Sequence, residues 1–321
     1  MKKVVISVFA FAVLASCSKE ENKLNGGDPA APVAIAPSAG IVTNLITRAA
    51  VDGTTFSAGT DVFRLCAFET DGAEPTDWTV DDTTPEAFEN VQVDMGSTDL
   101  SLKPTAKYYP PAGPKKLWFY AYAPFANGTY NAGNGATAPT VDYTITGDED
   151  IMTGKVTNDN GIGAATYGTT QKQPEFVFSH LLKKITFKVA AGDAFASGVY
   201  VKTIMVKNVN TRVTLDVTKG GLKNWNTIGE LTLSNLNTEI IQGGSPVDGC
   251  LMFEPGTEFT VSVTTGDGIT YADAKVKLTG TDAGNAGMHH VVTLTFHKSS
   301  IIPSATIVDW VDGDDAGVNL Q

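Results

Sequence analysis

Short runs of β-branched and aromatic residues that alternate with polar residues recur along most of the chain. They constrain its fold more than any other feature. The clearest runs are Lys116–Tyr122, Lys184–Val189, Tyr200–Val206, Glu258–Val263 and Val291–Phe296. Such alternation buries one face of an extended strand and leaves the other in solvent. Turn residues separate the runs at short intervals, and Gly266-Asp267-Gly268 predicts a hairpin. Because no run shows a sustained apolar stripe at helical spacing, the sequence predicts an all-β protein of sandwich type.

The N-terminus has the composition of an export signal. Lys2 and Lys3 precede the apolar run Val4–Leu14, which is too short to span a bilayer as a helix. The sequence Leu14-Ala15-Ser16-Cys17 that ends this region resembles a bacterial lipobox. We therefore predict a signal peptide over residues 1–16 and a lipid anchor on Cys17, where multiple acyl chains would hold the protein on a membrane. An ordinary signal peptide with an incidental cysteine is the alternative.

Composition divides the rest of the chain. Residues 17–48 include a Gly, Pro, Ala and Ser-rich stretch that cannot bury a core, so they are predicted to be a tether followed by a short N-terminal strand. A Gly, Asn and Thr-rich region before Pro174 separates an aromatic half from a Val, Thr and Lys-rich half. We predict an N-terminal sandwich over residues 49–174 and a C-terminal sandwich over residues 175–321.

The sequence contains no recognisable catalytic or metal-binding pattern. The net charge of −12 argues against a nucleic-acid partner, because nucleic-acid binding requires a basic face. Adjacent His289 and His290 would point to opposite faces of a strand and could not chelate one ion together. Cys66 and Cys250 each lie in an apolar run and are predicted to be separate buried thiols, with a disulfide as the alternative. We predict no enzyme activity, no metal and no cofactor.

Several short motifs together resemble the fimbrillin family, the lipoprotein-derived subunits of type V pili in Bacteroidales. They are Thr47-Arg48-Ala49, Phe56-Ser57-Ala58-Gly59-Thr60-Asp61, Asp150-Ile151-Met152, the Phe178–Phe187 run that begins Phe-Ser-His-Leu-Leu-Lys-Lys, and the terminal Ile307-Val308-Asp309-Trp310. The resemblance implies two transthyretin-like β-sandwich domains in tandem. It also implies an outer-membrane lipoprotein precursor that becomes part of a cell-surface fimbria and supports adhesion.

The resemblance further implies how subunits would join. A trypsin-like arginine protease would cut between Arg48 and Ala49, and removal of the preceding strand would open a groove. The C-terminal strand of another fimbrial subunit, with Ala305, Ile307, Val308 and Trp310 as donor residues, would fill that groove. The sequence leaves open a stalk, tip or anchor role. It also leaves open that the last strand stays in its own domain, with Trp310 in the core.

A monomeric surface lipoprotein that binds a glycan or a host protein is the competing hypothesis. Its motivation is a group of aromatic residues in the N-terminal half, namely Trp78, Trp118, Tyr108, Tyr109, Tyr120 and Tyr122. Aromatic platforms suit sugars, but alternating aromatic residues on a strand belong more often to a core. We therefore predict that most of these side chains are buried.

Overall fold

A computed structural model describes residues 34–41, 56, 59–80, 86–96, 100–110, 115–163, 173–280, 282–298 and 300–308. All of the regular elements in these ranges are strands, which confirms the all-β prediction. The strands are β1 (Ser38–Ile41), β2 (Gly59–Thr70), β3 (Phe88–Met95), β4 (Leu100–Lys103), β5 (Lys116–Ala123), β6 (Gly128–Asn131), β7 (Thr140–Thr144), β8 (Met152–Val156), β9 (Ile162–Gly163), β10 (Glu175–His180), β11 (Lys183–Ala191), β12 (Tyr200–Asp216), β13 (Gly221–Leu233), β14 (Thr238–Glu239), β15 (Ser245–Pro246), β16 (Leu251–Phe253), β17 (Glu258–Thr265), β18 (Thr270–Lys277), β19 (His289–Phe296) and β20 (Ile301–Val308). No helix long and apolar enough to cross a bilayer occurs in the described ranges.

The strands form three sheets. The N-terminal sheet has the order β1-β10-β8-β5-β2-β3-β4, with β9 paired to β5. The long-strand sheet has the order β18-β17-β12-β7-β6, with β13 and β14 also paired to β12. The C-terminal sheet has the order β15-β11-β19-β20, with β16 paired to β11.

The N-terminal sheet is buried on both faces in its middle. In β5, Phe119 and Ala121 enter one core while Tyr120 and Tyr122 enter another. Alternation therefore sends neighbouring residues of a single strand into different cores. The first core, which we call the N-terminal core, is built from residues between Ile35 and Phe178. The second, the shared core, also contains apolar residues of the other two sheets as far as Phe296.

The change from one sheet to another does not occur at Pro174. Strand β10 follows Pro174 but pairs with β8 and β1, so it belongs to the N-terminal sheet. The hairpin of β6 and β7, in contrast, joins the long-strand sheet through pairing of β7 with β12. Residues Pro32–Gln321 make one compact unit, within which the two sandwich domains at 49–174 and 175–321 stay a prediction.

Each of the five predicted runs is a strand with similar bounds, except that β12 continues ten residues past Val206. The Gly266-Asp267-Gly268 hairpin is confirmed, since β17 and β18 pair on either side of it. Thr265 Oγ1 donates to Asp267 Oδ1 at 2.6 Å, and Gly268 adopts φ +83°, which glycine tolerates without steric cost.

Candidate functional site: the two ends of the chain

The segment of residues 34–41, which we call the N-terminal segment, adds an edge strand to the N-terminal sheet. This corrects the expectation that the Gly, Pro, Ala and Ser-rich stretch buries no core, because its Ile35 has a core position. The segment pairs in parallel with β10, matching Ser38 to Glu175 and Ile41 to Phe178. Its side chains Ile35 and Ile41 are each only 4% exposed and belong to the N-terminal core. Two fully buried isoleucines would contribute roughly 1.5–3 kcal/mol each to stability.

The same segment also reaches the loop that follows β4, at the opposite end of the sheet. Ile35 N donates to Lys107 O at 2.8 Å, and Ala34 forms an isolated antiparallel bridge with Tyr108. The N-terminal segment therefore connects the β10 edge to the chain beyond β4. It closes the N-terminal sheet over its core.

A glutamine beside β10 fixes the N-terminal segment in place. Gln173 Oε1 accepts a hydrogen bond from Ala36 N at 2.8 Å, and Gln173 Nε2 donates to Ala34 O at 3.0 Å. The side chain thus replaces backbone pairing where the ladder has not yet begun. Sequence reasoning missed this residue, because an isolated glutamine carries no local signal of a partner more than 130 positions away.

Phenylalanine rings form the wall of the N-terminal core next to this segment. Phe56 packs edge-on against Phe178 with centroids 4.9 Å apart, and Phe63 lies 5.1 Å from Phe178. Gly154 of β8 makes room for the Phe178 ring, because a Cβ at that position would lie 2.7 Å from its Cζ atom. An apolar surface of this kind requires a cover, and residues 34–41 supply part of it.

The C-terminal strand β20 is held differently. All eight of its residues pair antiparallel with β19, and it forms the edge of the C-terminal sheet. Half-buried and exposed side chains alternate along it, with Ala305 and Ile307 half-buried and Ile302 57% exposed. The described strand thus stays in its own sheet, although none of the side chains described in it is fully buried. Trp310 and the side chain of Val308 lie outside the described residues.

The chain contains three arginines, and the structure describes two of them. Arg64 lies in β2 between β3 and β5, donates from Nη1 to Asn90 O at 3.0 Å, and stacks 3.8 Å above the Phe125 ring. Arg212 lies in β12 with ladder partners on both sides, Asn226 and Thr144. A protease must bind its substrate as an extended, accessible chain. The peptide bonds after Arg64 and Arg212 are therefore protected, because their strands are hydrogen-bonded to neighbours on both sides. Arg48, Ala49 and Cys17 lie outside the described residues.

The aromatic residues of the N-terminal half are mostly core, as predicted. Trp78, Tyr109, Tyr120 and Tyr122 are buried. Trp118 is half-buried and donates from Nε1 to Thr70 Oγ1 at 3.0 Å, while Tyr108 is 46% exposed. These side chains therefore do not form a solvent-facing platform.

The described histidine and cysteine side chains have structural surroundings. His180 Nδ1 lies 2.7 Å from Asp150 Oδ1, and His289 Nε2 lies 2.8 Å from Thr186 Oγ1. Cys66 and Cys250 do not form a disulfide, and burial raises the pKa of the Cys66 thiol to about 12. Within the described residues, no three His, Cys, Asp or Glu side chains come together as metal ligands.

The burial of the Lys183 ammonium group was not predicted from the sequence. Lys183 begins β11, is 1% exposed, and donates from Nζ to Gly256 O at 2.7 Å. Its Nζ lies 4.4 Å from the centre of the Phe253 ring. Burial lowers the pKa of Lys183 to about 8, although Glu254 partly opposes the shift.

Solved structures with a similar fold include a fimbrial protein and two candidate cell adhesion proteins from Bacteroides. A fimbrial protein from Bacteroides vulgatus ATCC 8482 is 16% identical, with a TM-score of 0.56 over 87% of this chain and 99% of that one. A candidate cell adhesion protein from Bacteroides ovatus ATCC 8483 is 17% identical, with a TM-score of 0.57 over 88% of this chain and 99% of that one. A candidate cell adhesion protein from Bacteroides uniformis ATCC 8492 is 17% identical, with a TM-score of 0.55 over 87% and 99% of the two chains. At these identities the likeness defines the fold.

The sequence itself assigns the family. The model of the fimbrillin-like family matches residues 47–310, and the chain therefore belongs to that family. This confirms the resemblance derived from the short motifs. No curated protein sequence matches the chain significantly. Family membership supports the role of a fimbrial subunit at the cell surface, in contact with other fimbrial subunits.

Proposed function

We propose that this protein is a subunit of a cell-surface fimbria that polymerises by strand exchange after proteolytic removal of residues 17–48. The observation that carries the proposal is the position of the N-terminal segment. It covers the N-terminal core with Ile35 and Ile41, and it precedes Arg48 in the chain. A cut after Arg48 leaves the segment attached only by non-covalent contacts.

Loss of the segment would leave a groove that favours a new strand. The backbone of β10 would lose the partners of Glu175 to Phe178, and the apolar surface around Phe176 and Phe178 would meet water. An added strand satisfies both needs, since main-chain hydrogen bonds supply affinity and alternate side chains fill the pockets. Because donor and acceptor surfaces differ, the contact does not close on itself and builds a filament.

Arginine positions support a single cut. Arg64 and Arg212 are held in central strands, which leaves Arg48 as the arginine that an arginine-specific protease would reach. Before that cut, acylation of Cys17 would keep the precursor on the outer membrane. Cleavage would then separate the folded subunit from its lipid.

The C-terminal strand is the proposed donor. Strand β20 lies at a sheet edge, and its described side chains are at most half-buried, so it can leave its own sheet at lower cost than a central strand. Ala305 and Ile307 share one face and would enter the groove. Val308 and Trp310 are further proposed donor residues. Adhesion is the function that the assembled fimbria would serve.

Replacement of Arg48 by alanine tests the proposal. We expect Arg48→Ala to retain residues 17–48, remain lipidated and form no polymer, whereas the matched control Arg212→Ala is processed and polymerises normally. Mass spectrometry of the N-terminus and electrophoresis of undenatured surface extracts measure both outcomes. Normal polymers from Arg48→Ala would contradict protease-triggered assembly. A mature N-terminus other than Ala49 in the parent protein would show that the cleavage site lies elsewhere.

Replacement of Cys17 separates anchoring from folding. We expect Cys17→Ala to lose incorporation of radiolabelled palmitate and outer-membrane delivery while the purified protein keeps its strand circular dichroism. Equal palmitate incorporation by Cys17→Ala and the parent chain would show that the anchor is elsewhere.

A further inference from the structure

A polar cleft lies between the N-terminal sheet and the turn that joins β12 to β13. Its volume is about 360 Å³, which falls within the range of small-molecule sites. The residues that line it include Glu74, Tyr120, Lys155, Asn160, Ser179 and Lys219. None of them takes part in the proposed assembly reaction.

The cleft is built by a close approach of the turn to β8. Asp216 organises the turn by accepting hydrogen bonds from Thr218 Oγ1 at 3.0 Å and Lys219 N at 3.1 Å. Gly220 has φ +63°, and a Cβ there would lie 2.7 Å from Thr153 Oγ1. Glycine therefore lets the turn lie directly against β8, and Lys219 and Lys155 line the same cleft as a result.

Both lysines at the rim are available to an anion. Lys155 and Lys219 are exposed, and in the described part of the chain neither ammonium group forms an ion pair. The chain as a whole carries a net charge of −12, so two such lysines on one cavity are a local exception. An anionic group between them would gain two charge-assisted hydrogen bonds.

Tyr120 forms part of the wall of the cleft. It is 6% exposed, and its hydroxyl is buried beside the Glu74 carboxylate. Glu74 is itself exposed, so its carboxylate can accept hydrogen bonds from a ligand in the cleft.

We propose that this cleft binds a short saccharide that carries a carboxylate, of the uronic or sialic acid class. The sugar carboxylate lies between Lys155 and Lys219, and hydroxyl groups of the ring meet Glu74, Asn160 and Ser179. Glu74 argues against a phosphate, since a dianion would be repelled by the carboxylate in the same wall. A sugar acid keeps its single charge at one end and presents hydroxyl donors to Glu74 at the other.

Saturation-transfer NMR on the purified full-length protein tests the site. The probes are galacturonic acid and N-acetylneuraminic acid at equal ionic strength, with galactose as the neutral control. We expect signals from one or both acids at about 10 mM, ten times a millimolar Kd, and a far weaker signal from galactose. A response to one acid alone identifies the source of the glycan, whereas no response to either, or equal binding of galactose, overturns the proposal.

Variants locate the binding within the cleft. Lys155→Gln and Lys219→Gln are each expected to weaken binding about fivefold, the effect of losing one exposed charge contact. The matched control Lys275→Gln, on an exposed position of β18 away from the cleft, should leave affinity unchanged. An equal loss in the control would show non-specific attraction and overturn the site. Because the assay uses unassembled protein, its failure would leave the assembly proposal untouched.

Discussion

The two terminal strands of the described chain differ in a way that their lengths do not suggest. Strand β1 has four residues, yet the N-terminal segment that contains it buries two isoleucines almost completely. Strand β20 has eight residues paired along their whole length, but its described side chains are half-buried or exposed. A short strand can therefore cover a core, while a long edge strand can bury little of its side-chain surface. Buried area rather than ladder length separates the two ends.

The largest expected loss of stability comes from truncating the buried side chains of the N-terminal segment. Replacing Ile35 and Ile41 together by alanine should lower the free energy of unfolding by about 5 kcal/mol, because each removes a buried side chain from the N-terminal core. Urea unfolding of unprocessed protein measures this loss. The matched pair Ile302→Ala and Ile269→Ala, both at exposed positions, should cost far less. Equal losses in both pairs would show that the N-terminal segment contributes no more to stability than the exposed surface does.

Truncation at the other end should cost less. Deleting the chain from Ser304 onward removes the half-buried Ala305 and Ile307 and part of the β19–β20 ladder. We expect a folded protein with strand circular dichroism and a free energy of unfolding lower by about 2–3 kcal/mol. The same protein should no longer polymerise after cleavage. Complete unfolding would show that β20 is a core strand, and fibres from the truncated protein would exclude it as the donor.

A pH titration of stability distinguishes the shared core, which contains Phe253 beside Lys183, from the N-terminal core. Lys183 has a pKa of about 8 in the folded protein against 10.5 for an ordinary lysine, so the unfolded chain binds more protons between these values. Lys183 should therefore add about 2 kcal/mol to the free energy of unfolding between pH 7.5 and 9.5. Buried Cys66 opposes this rise, because its raised pKa makes stability fall over the same range, so the measured quantity is the difference between the parent and Lys183→Met profiles. Lys275→Gln should follow the parent, and parallel profiles of the parent and Lys183→Met would contradict the buried charge.

The smallest effect is expected on the exposed face of β20. Ile302→Thr keeps a β-branched residue at a 57% exposed position, so the free energy of unfolding should change by less than about 0.5 kcal/mol. Thermal unfolding measures it. A loss above about 1 kcal/mol would show that another element covers this face.

Local patterns predicted the strands well but not their partners. The runs at β5, β11, β17 and β19 carry their alternation within a few residues, and the structure places them accordingly. The extension of β12 was missed, because Asn208 and Asn210 interrupt the apolar pattern where the strand has a bulge. The pairing of β7 with β12 joins residues about 70 positions apart, and no local feature encodes such a contact.

For the candidate sites too, local motifs were visible in the sequence, whereas contacts between distant residues were not. Cys17 and Arg48 were singled out by short motifs, and they stay predictions. Three features depend on tertiary structure: the hydrogen bonds of Gln173 to Ala34 and Ala36, the burial of Ile35 and Ile41, and the presence of Lys155 and Lys219 in one cleft. Single residues with ordinary sequence neighbours acquire these roles only when distant strands meet.

Strand β12 has a mechanical consequence for a protein that works in a fibre. Its 17 residues extend about 55 Å at the usual rise per residue, and it pairs near its beginning with β17 and at its end with β7, from a hairpin in the N-terminal half. A pull along this direction would load covalent bonds of one continuous backbone before it loaded side-chain packing. Neighbouring strands would resist sliding through many hydrogen bonds at once. Strand β12 would then carry the tension through the subunit. A subunit under flow would resist stretching more than its modest size suggests.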